Sequence, residues 1–183
     1  MGALIGNMTL SLLAQELGGE LLGEDVVFSS VSTDTRSLKR GDLYLALVGE
    51  NFDGNNFIDE AMRAGADSAV ISRQVKSQLP VLTVTDTHVA LAKLANMNRQ
   101  RSAAKIIALT GSQGKTTVKD MLGSILNNSA DCLTTKANFN NTIGVPLTLL
   151  KLEKQHKYAV IEMGASAPAE IAFSVSATEP DIA

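Results

Sequence analysis

The feature that most constrains the fold is the stretch KIIALTGSQGKTTVKDM, residues 105–121. Its first five residues, Lys105–Leu109, form an almost continuous apolar run, which is typical of a strand in a sheet covered on both faces. Two glycines follow, and a helix-type pattern then begins near Lys115. The stretch therefore predicts a strand, a tight turn and a helix in direct succession, which is the repeating unit of a parallel α/β sheet.

Regular alternation of strands and helices continues only downstream of this stretch. Downstream, helical patterns alternate with apolar strands near residues 132–134 and 158–163, which predicts right-handed crossovers and a parallel sheet. Upstream, the sequence predicts short strands such as VVFSSV and Leu43–Val48. It also predicts three helices: one that starts after Thr9, one that stops at Gly65 and one that starts after Asp86. We therefore predict an α/β protein with a small N-terminal α/β domain, residues 1–85, and a P-loop-type parallel α/β domain, residues 86–183. The closing TEPDIA resembles the beginning of another strand, so we expect the second domain to be truncated and the chain to be a fragment.

Composition excludes several classes of function. The 183 residues include 16 basic and 19 acidic side chains, and the net charge of -3 argues against binding to nucleic acid or to an anionic membrane surface. No apolar run reaches the roughly 18–20 residues that a membrane helix needs, so we expect no membrane insertion. The single cysteine, Cys132, excludes an intrachain disulfide and fits a reducing cytoplasm.

The turn between the strand and the helix has the residues of a phosphate-binding loop. Gly111 and Gly114 allow backbone N–H groups to converge, and the helix start at Lys115 favours an anion there. The Lys115 side chain can reach β- and γ-phosphate oxygens, and the Thr116 hydroxyl is a ligand for Mg²⁺. The residues expected to contact the nucleotide in this loop are Gly111, Ser112, Gln113, Gly114, Lys115, Thr116 and Thr117.

The loop departs from the usual G-x-x-x-x-G-K-[ST] pattern, because Leu109 stands where the first glycine is expected. The alternative interpretation is a simple glycine turn with a solvated lysine. The strand before the loop, the helix after it and the paired threonines favour phosphate binding over this alternative.

Two further elements point to the same edge of the predicted sheet. Glu162 ends the apolar strand of YAVIEMG, and parallel strands deliver their carboxyl ends to one edge, where ligands bind. We therefore expect Glu162 near Thr116, as a second metal ligand; the alternative is a carboxylate at the start of the next helix. The asparagines of NFNNTIGVP, Asn138, Asn140 and Asn141, lie between these elements, although asparagine is also a common loop and cap residue.

The segments TGSQGKTTVKDM, NFNNTIGVPLTLL and AVIEMGAS, in this order and spacing, resemble the central ATPase domain of the Mur ligases. The upstream segment STDTRSLKRGDLYLALVGENFDGNNFIDEAMRAGADSAVIS resembles the uridine-nucleotide-binding domain of the same family. The resemblance runs from about Thr9 to Ala183. It implies a three-domain enzyme, of which this chain supplies the first domain and part of the second.

The resemblance is strongest to the family member that joins D-alanyl-D-alanine to UDP-N-acetylmuramoyl-tripeptide in peptidoglycan precursor synthesis. It implies ATP and Mg²⁺ as cofactors, an acyl phosphate intermediate, and a cytoplasmic enzyme that we expect to be a monomer. Lys115 and Glu162 are the implied catalytic residues, and Thr116 and Glu162 the implied metal ligands. By the same resemblance Asn138 and Asn141 contact the nucleotide, and the UDP end of the substrate contacts Asp34, Thr35 and Arg36.

Three alternatives remain open from the sequence. The first is the preceding ligase of the same pathway, which shares the D-x-R-x-x-x-x-G-D-L pattern. The second is a generic P-loop NTPase, although such a protein usually has an aspartate where this chain has Glu162. The third is a binding module without catalysis, which would have no use for Lys115 and Thr116. As a fragment, the chain is expected not to ligate by itself.

Overall fold

The computed structural model describes residues 4–183, so residues 1–3 of the predicted N-terminal domain lie outside the described residues. The described chain divides into two compact units, residues 4–93 and 94–183. This division falls within a long helix, Thr87–Gln100, whose start immediately follows the domain boundary predicted between residues 85 and 86. The predicted boundary itself stays a prediction.

The first unit contains short strands and two helices, joined by tight turns that include the 3₁₀ turns 35–37 and 54–57. In chain order these elements are β1 (Met8–Thr9), α1 (Leu10–Leu17), β2 (Glu20–Leu22), β3 (Val27–Phe28), β4 (Ser30–Ser32), β5 (Asp42–Leu45), β6 (Val48–Gly49), β7 (Phe52–Asp53), α2 (Ile58–Ala64), β8 (Ala66–Ile71) and β9 (Val81–Thr83).

A five-stranded sheet in the order β2-β9-β8-β5-β4 forms the centre of this unit. The four strands from β9 to β4 are parallel, and β2 adds to the edge in the antiparallel direction. Helix α1 has the predicted ends, since the Thr9 hydroxyl accepts from the Leu12 N–H and Gly18 closes the helix at φ 64°. Helix α2 ends at Gly65 as predicted.

Two strands of the first unit are shorter than predicted. The strand predicted over Leu43–Val48 ends at Leu45, because the Leu47 N–H turns back to the Leu45 carbonyl and directs the chain into the β6–β7 hairpin. The strand predicted in VVFSSV is divided at Ser29. Its first part, β3, pairs with β1, and its second part, β4, pairs with β5.

The second unit has the strand–helix alternation that the sequence predicts. Its elements, with the helix that leads into it, are α3 (Thr87–Gln100), β10 (Lys105–Leu109), α4 (Lys115–Asn127), β11 (Cys132–Thr134), α5 (Gly144–Leu149), β12 (Tyr158–Glu162) and α6 (Glu170–Thr178). The strands form a parallel sheet in the order β10-β12-β11. An additional parallel bridge joins Ile107 to Ile182, as expected from the strand-like closing residues. The prediction of an α/β protein with a parallel second sheet is confirmed.

Asp181 holds the closing residues against β10. Its carboxylate accepts from the Ile106 N–H at 2.9 Å, from Lys105 Nζ at 2.9 Å and from the Arg99 guanidinium at 3.0 Å. The backbone hydrogen bond and the neighbouring Lys105 ammonium lower the pKa of the Asp181 carboxyl. The carboxylate therefore stays ionised, which fixes residues 181–182 beside the sheet.

No helix within residues 4–183 is both long enough and apolar enough to cross a lipid bilayer.

Candidate functional site

The predicted phosphate loop lies between the carboxyl end of β10 and the first residue of α4. Gly111 has φ 143° and Gly114 has φ 78°, in the region that favours glycine. A Cβ atom on Gly114 would meet nothing within 4 Å, so the backbone angle, and not lack of space, requires glycine here. The loop is solvent-exposed, and α4 begins with Lys115 beside it. The first N–H groups of this 13-residue helix therefore point towards an accessible loop, as anion binding requires.

The Lys115 side chain folds back over the loop. Its Nζ donates to the Gly111 carbonyl oxygen at 2.5 Å. Lys115 is half-buried, whereas the neighbouring Ser112, Gln113 and Thr117 are exposed. The contact places a positive charge directly above the backbone of the loop.

Thr116 and Glu162 are in direct contact, as the parallel topology predicts. The Thr116 hydroxyl donates to Glu162 Oε2 at 3.0 Å, which joins the first turn of α4 to the end of β12. Glu162 is only 2% exposed, and its other oxygen, Oε1, accepts from the Asn140 side-chain amide at 2.9 Å. The Glu162 N–H donates to the Thr135 hydroxyl at 2.9 Å. Both the carboxylate and the backbone of Glu162 are therefore held in place.

The three asparagines of NFNNTIGVP have different environments. Asn138 is exposed, and the Asn141 side-chain oxygen accepts from the N–H groups of Ile143 and Gly144 at the start of α5. Asn138 and Asn141 both line a shallow hollow of about 200 Å³. Asn140, which the resemblance did not assign to the nucleotide site, is the asparagine that contacts Glu162.

A close backbone contact fixes the path of the asparagine loop, which is residues 135–143 between β11 and α5. A Cβ atom on Gly144 would lie 2.4 Å from the carbonyl carbon of Phe139, so no larger residue fits without movement of the backbone. On the other side of the loop, the Gly164 N–H donates to the Asn140 carbonyl oxygen at 2.7 Å. These contacts direct the Asn140 amide towards Glu162.

The predicted substrate residues lie in the first unit, around a hollow of about 360 Å³. The Arg36 guanidinium donates to both carboxylate oxygens of Asp34, at 2.7–3.2 Å, and the Thr35 hydroxyl donates to Glu60 at 2.5 Å. The hydrogen bond from Arg36 lowers the pKa of the Asp34 carboxyl, and the same contact raises the pKa of Arg36. Asp34, Thr35 and Arg36 thus form one side of a partly enclosed surface.

Aromatic side chains form another side of this hollow. The rings of Phe52 and Phe57 are stacked, with centroids 5.2 Å apart and an interplanar angle of 14°. Phe52 is 49% exposed, so its ring is available for contact. The Tyr44 hydroxyl donates to the Gly54 carbonyl at 3.1 Å, and burial raises the pKa of Tyr44 to about 12, so the phenol stays neutral. These aromatic residues were missed from the sequence, although the spacing of two phenylalanines in NFDGNNF around a polar turn was a usable signal.

Comparison with known proteins matches the chain in two consecutive segments. Residues 27–105 match the family described as "Mur ligase family, catalytic domain", and residues 109–183 match "Mur ligase middle domain". The UDP-N-acetylmuramoyl-tripeptide–D-alanyl-D-alanine ligase of Escherichia coli is 48% identical over 177 residues, which are 97% of this chain and 39% of that ligase. The chain thus spans about two fifths of the length of the relatives that it matches.

Solved structures agree with the sequence comparison. A crystal structure of MurF from Acinetobacter baumannii superposes with a TM-score of 0.89 at 40% identity, over 96% of this chain and 40% of that one. MurF from Thermotoga maritima in complex with ADP superposes with a TM-score of 0.77 at 34% identity, over 83% of this chain and 36% of that one. Since the two family matches follow each other along almost the whole chain and the solved relatives share its fold, the chain belongs to the Mur ligase family.

Proposed function

We propose that this chain supplies the substrate-binding domain and part of the ATP-binding domain of a ligase that joins D-alanyl-D-alanine to UDP-N-acetylmuramoyl-tripeptide. The observation that carries this proposal is the contact of Thr116 with Glu162 beside Lys115, at the exposed start of α4. The 48% identity to a ligase of that name supports the choice of substrates. The preceding ligase of the pathway and a generic NTPase are the alternatives that the experiment below separates.

ATP is the nucleotide that the loop would bind. The N–H groups at the start of α4 and the Lys115 ammonium provide positive potential for the β- and γ-phosphates. The superposed relative is in complex with ADP, which supports an adenine nucleotide as the ligand. Asn138 and Asn141, which line the neighbouring hollow, remain the proposed contacts for the rest of the nucleotide.

The residues beside the loop fit Mg²⁺. The Thr116 hydroxyl and Glu162 Oε2 are 3.0 Å apart, so both oxygens can face one cation. Residues 4–183 contain no group of three or more His, Cys, Asp or Glu side chains that could enclose a metal. One carboxylate, one hydroxyl, phosphate oxygens and water are a donor set that suits Mg²⁺, which rarely has an all-protein cage. When bound, Mg²⁺ would neutralise charge on the phosphates of ATP.

The proposed reaction activates a carboxylate. A terminal carboxylate oxygen of the tripeptide attacks the γ-phosphorus of ATP, and the bond from this phosphorus to the β,γ-bridging oxygen breaks to release ADP. The amine of D-alanyl-D-alanine then attacks the acyl carbon, loses a proton and expels inorganic phosphate, which leaves an amide. Such transfer between two anions depends on positioning and charge neutralisation more than on covalent help. Lys115 and the start of α4 would supply the charge neutralisation, and Glu162 orients the Thr116 hydroxyl.

The hollow of the first unit is the proposed site for the UDP end of the substrate. Stacking on the exposed Phe52 ring suits a planar base, and the polar groups of Asp34, Thr35 and Arg36 can bond to hydroxyl and phosphate oxygens. The hollow thus combines an aromatic surface for the base with polar groups for the sugar phosphate.

The whole enzyme tests this proposal directly. Full-length protein that contains this chain is incubated with ATP, Mg²⁺, UDP-N-acetylmuramoyl-tripeptide and D-alanyl-D-alanine, and phosphate release is measured with each substrate omitted in turn. We expect phosphate release only with both substrates present. Release that is indifferent to the muramoyl substrate would support the generic NTPase. Ligation of a diamino acid to the muramoyl-dipeptide would support the preceding ligase. Residues 1–183 alone are expected not to form the amide.

Arg36→Ala tests the hollow. We expect KM for UDP-N-acetylmuramoyl-tripeptide to rise about tenfold with little change in kcat, because contacts far from the reacting carboxylate contribute equally to ground-state and transition-state binding. Arg73→Ala is the matched control, since Arg73 also forms a surface ion pair, with Asp53 at 3.1 Å, but does not line the hollow. An unchanged KM in Arg36→Ala would remove Arg36 from the substrate site.

The proposed setting is the cytoplasm, where ATP and nucleotide-linked precursors are available, and the proposed state is a monomer. The single cysteine and the net charge of -3 agree with a reducing compartment and with no nucleic-acid partner.

A further inference from the structure

One buried charged side chain of the second unit has no part in the mechanism above. Lys119 lies one turn after Lys115 on α4, and its side chain is only 6% exposed. A buried ammonium is costly unless it is paired and hydrogen-bonded. The contacts that offset this cost therefore indicate what the residue does.

Lys119 connects α4 to the residue that follows β11. Its Nζ donates to the Thr135 carbonyl oxygen at 3.0 Å, and the mostly exposed Asp120 carboxylate lies 3.0 Å from the same nitrogen. Thr135 is 1% exposed and also accepts, through its hydroxyl, from the Glu162 N–H. Lys119 is thus separated from Glu162 by a single residue.

These contacts close a ring of hydrogen bonds. Lys119 Nζ donates to the Thr135 carbonyl, and the Thr135 hydroxyl accepts from the Glu162 N–H. The Glu162 carboxylate in turn accepts from the Thr116 hydroxyl. Thr116 and Lys119 are three residues apart on α4 and therefore lie on the same side of the helix. The ring fixes the start of α4 relative to the end of β12, which are the two places that supply the oxygens for the cation.

We propose that Lys119 is a positioning residue that, through Thr135, holds the Glu162 carboxylate against the Thr116 hydroxyl and so sets the affinity of the nucleotide site for Mg²⁺. The inference rests on the proposed function, because it requires Mg²⁺-dependent nucleotide binding at this loop. It assigns Lys119 no contact with the nucleotide. The effect of removing the ammonium should therefore appear in the response to Mg²⁺ and not in the response to the nucleotide alone.

Lys119→Met removes the ammonium and keeps most of the apolar stem. ADP binding to the full-length protein is measured by calorimetry over a series of Mg²⁺ concentrations and in EDTA. We expect Lys119→Met to need about tenfold more Mg²⁺ for the same ADP affinity, as is usual when a residue that orients a metal ligand is removed. In EDTA its ADP affinity should equal that of wild type, because Lys119 is assigned no contact with the nucleotide. The matched control is Lys154→Met, because Lys154 is exposed and lies before the first residue of β12, at the opposite end of that strand from Glu162.

Thr135→Val provides a second break in the same ring, by an exchange of a hydroxyl for a methyl group of nearly the same shape. It should shift the Mg²⁺ response in the same direction even if Lys119→Met does not fold. A folded Lys119→Met with an unchanged Mg²⁺ response, or with ADP binding weakened equally in EDTA, would overturn the inference. Wild-type protein that binds no ADP under any of these conditions would instead refute the proposed function.

Discussion

Lys115→Ala is expected to lower substrate-dependent phosphate release by the full-length protein about 10²–10³-fold. The Lys115 ammonium is held over the predicted phosphate loop by its contact with the Gly111 carbonyl, so alanine would remove a preorganised charge from the place where we propose that the phosphates of ATP bind. The loss of one preorganised donor typically costs a rate factor of about this size. The measurement is phosphate release with both substrates at saturating concentration.

Lys154→Ala is the control for this loss, because Lys154 is an exposed lysine that lies outside the site. We expect its rate to equal that of wild type. Thermal unfolding of Lys115→Ala should also match wild type, since Lys115 is half-buried and its removal leaves no cavity in the core. A Lys115→Ala enzyme with more than a tenth of the wild-type rate would contradict phosphate binding at this loop.

Gly144→Ala is expected to destabilise the asparagine loop by about 3 kcal/mol, at the upper end of the usual cost of overpacking. The new Cβ would lie 2.4 Å from the backbone carbon of Phe139, and a backbone atom cannot rotate away as a side chain can. The Gly164 amide reports on this loop, because its hydrogen bond goes to the Asn140 carbonyl. Its protection from hydrogen exchange should fall about 10²-fold, which is the same free energy.

Gly49→Ala is the control substitution, since a Cβ atom on Gly49 would meet nothing within 4 Å. We expect its free energy of unfolding to change by no more than about 0.5 kcal/mol. Protection of the Gly164 amide that is unchanged in Gly144→Ala would show that the Phe139 backbone moves aside at little cost.

The elements governed by local rules were predictable from the sequence. The strand, turn and helix around the predicted phosphate loop follow from an apolar run, two glycines and a helical pattern within a short stretch. The contact of Glu162 with Thr116 follows from the rule that parallel strands bring their carboxyl ends to one edge. Both conclusions rest on where a strand ends and on which residues follow it.

Which of the three clustered asparagines contacts Glu162 was not predictable in this way. Asn138, Asn140 and Asn141 have the same side chain, and the path of the loop decides which amide reaches Glu162. That path depends on the contact of Gly144 with Phe139, which is not apparent from the sequence alone. The roles of Asn138 and Asn141 at the nucleotide stay predictions.

The orientation of α4 was also outside the reach of sequence patterns. Apolar periodicity would place Val118, Met121 and Ile125 towards the sheet, but all three are exposed in the structure, and α4 buries Lys119 and Gly123 instead. At Gly123 the helix approaches Thr134 so closely that a Cβ atom would lie 2.6 Å from its methyl group. The packed face thus combines a small residue and a hydrogen-bonded lysine with the half-buried Leu122 and Leu126.

The order of strands in the second sheet has a consequence for how the site is assembled during synthesis. β12 is the last of the three strands in the chain, yet it lies between β10 and β11, which do not pair with each other. The first two strands therefore cannot form this sheet until Tyr158–Glu162 has been synthesised. Parallel pairing between strands so far apart in sequence is also intrinsically slow. Glu162 is the final residue of that late strand. A nascent chain consequently has its predicted phosphate loop well before it has the carboxylate, and Glu162 reaches Thr116 only when β12 pairs.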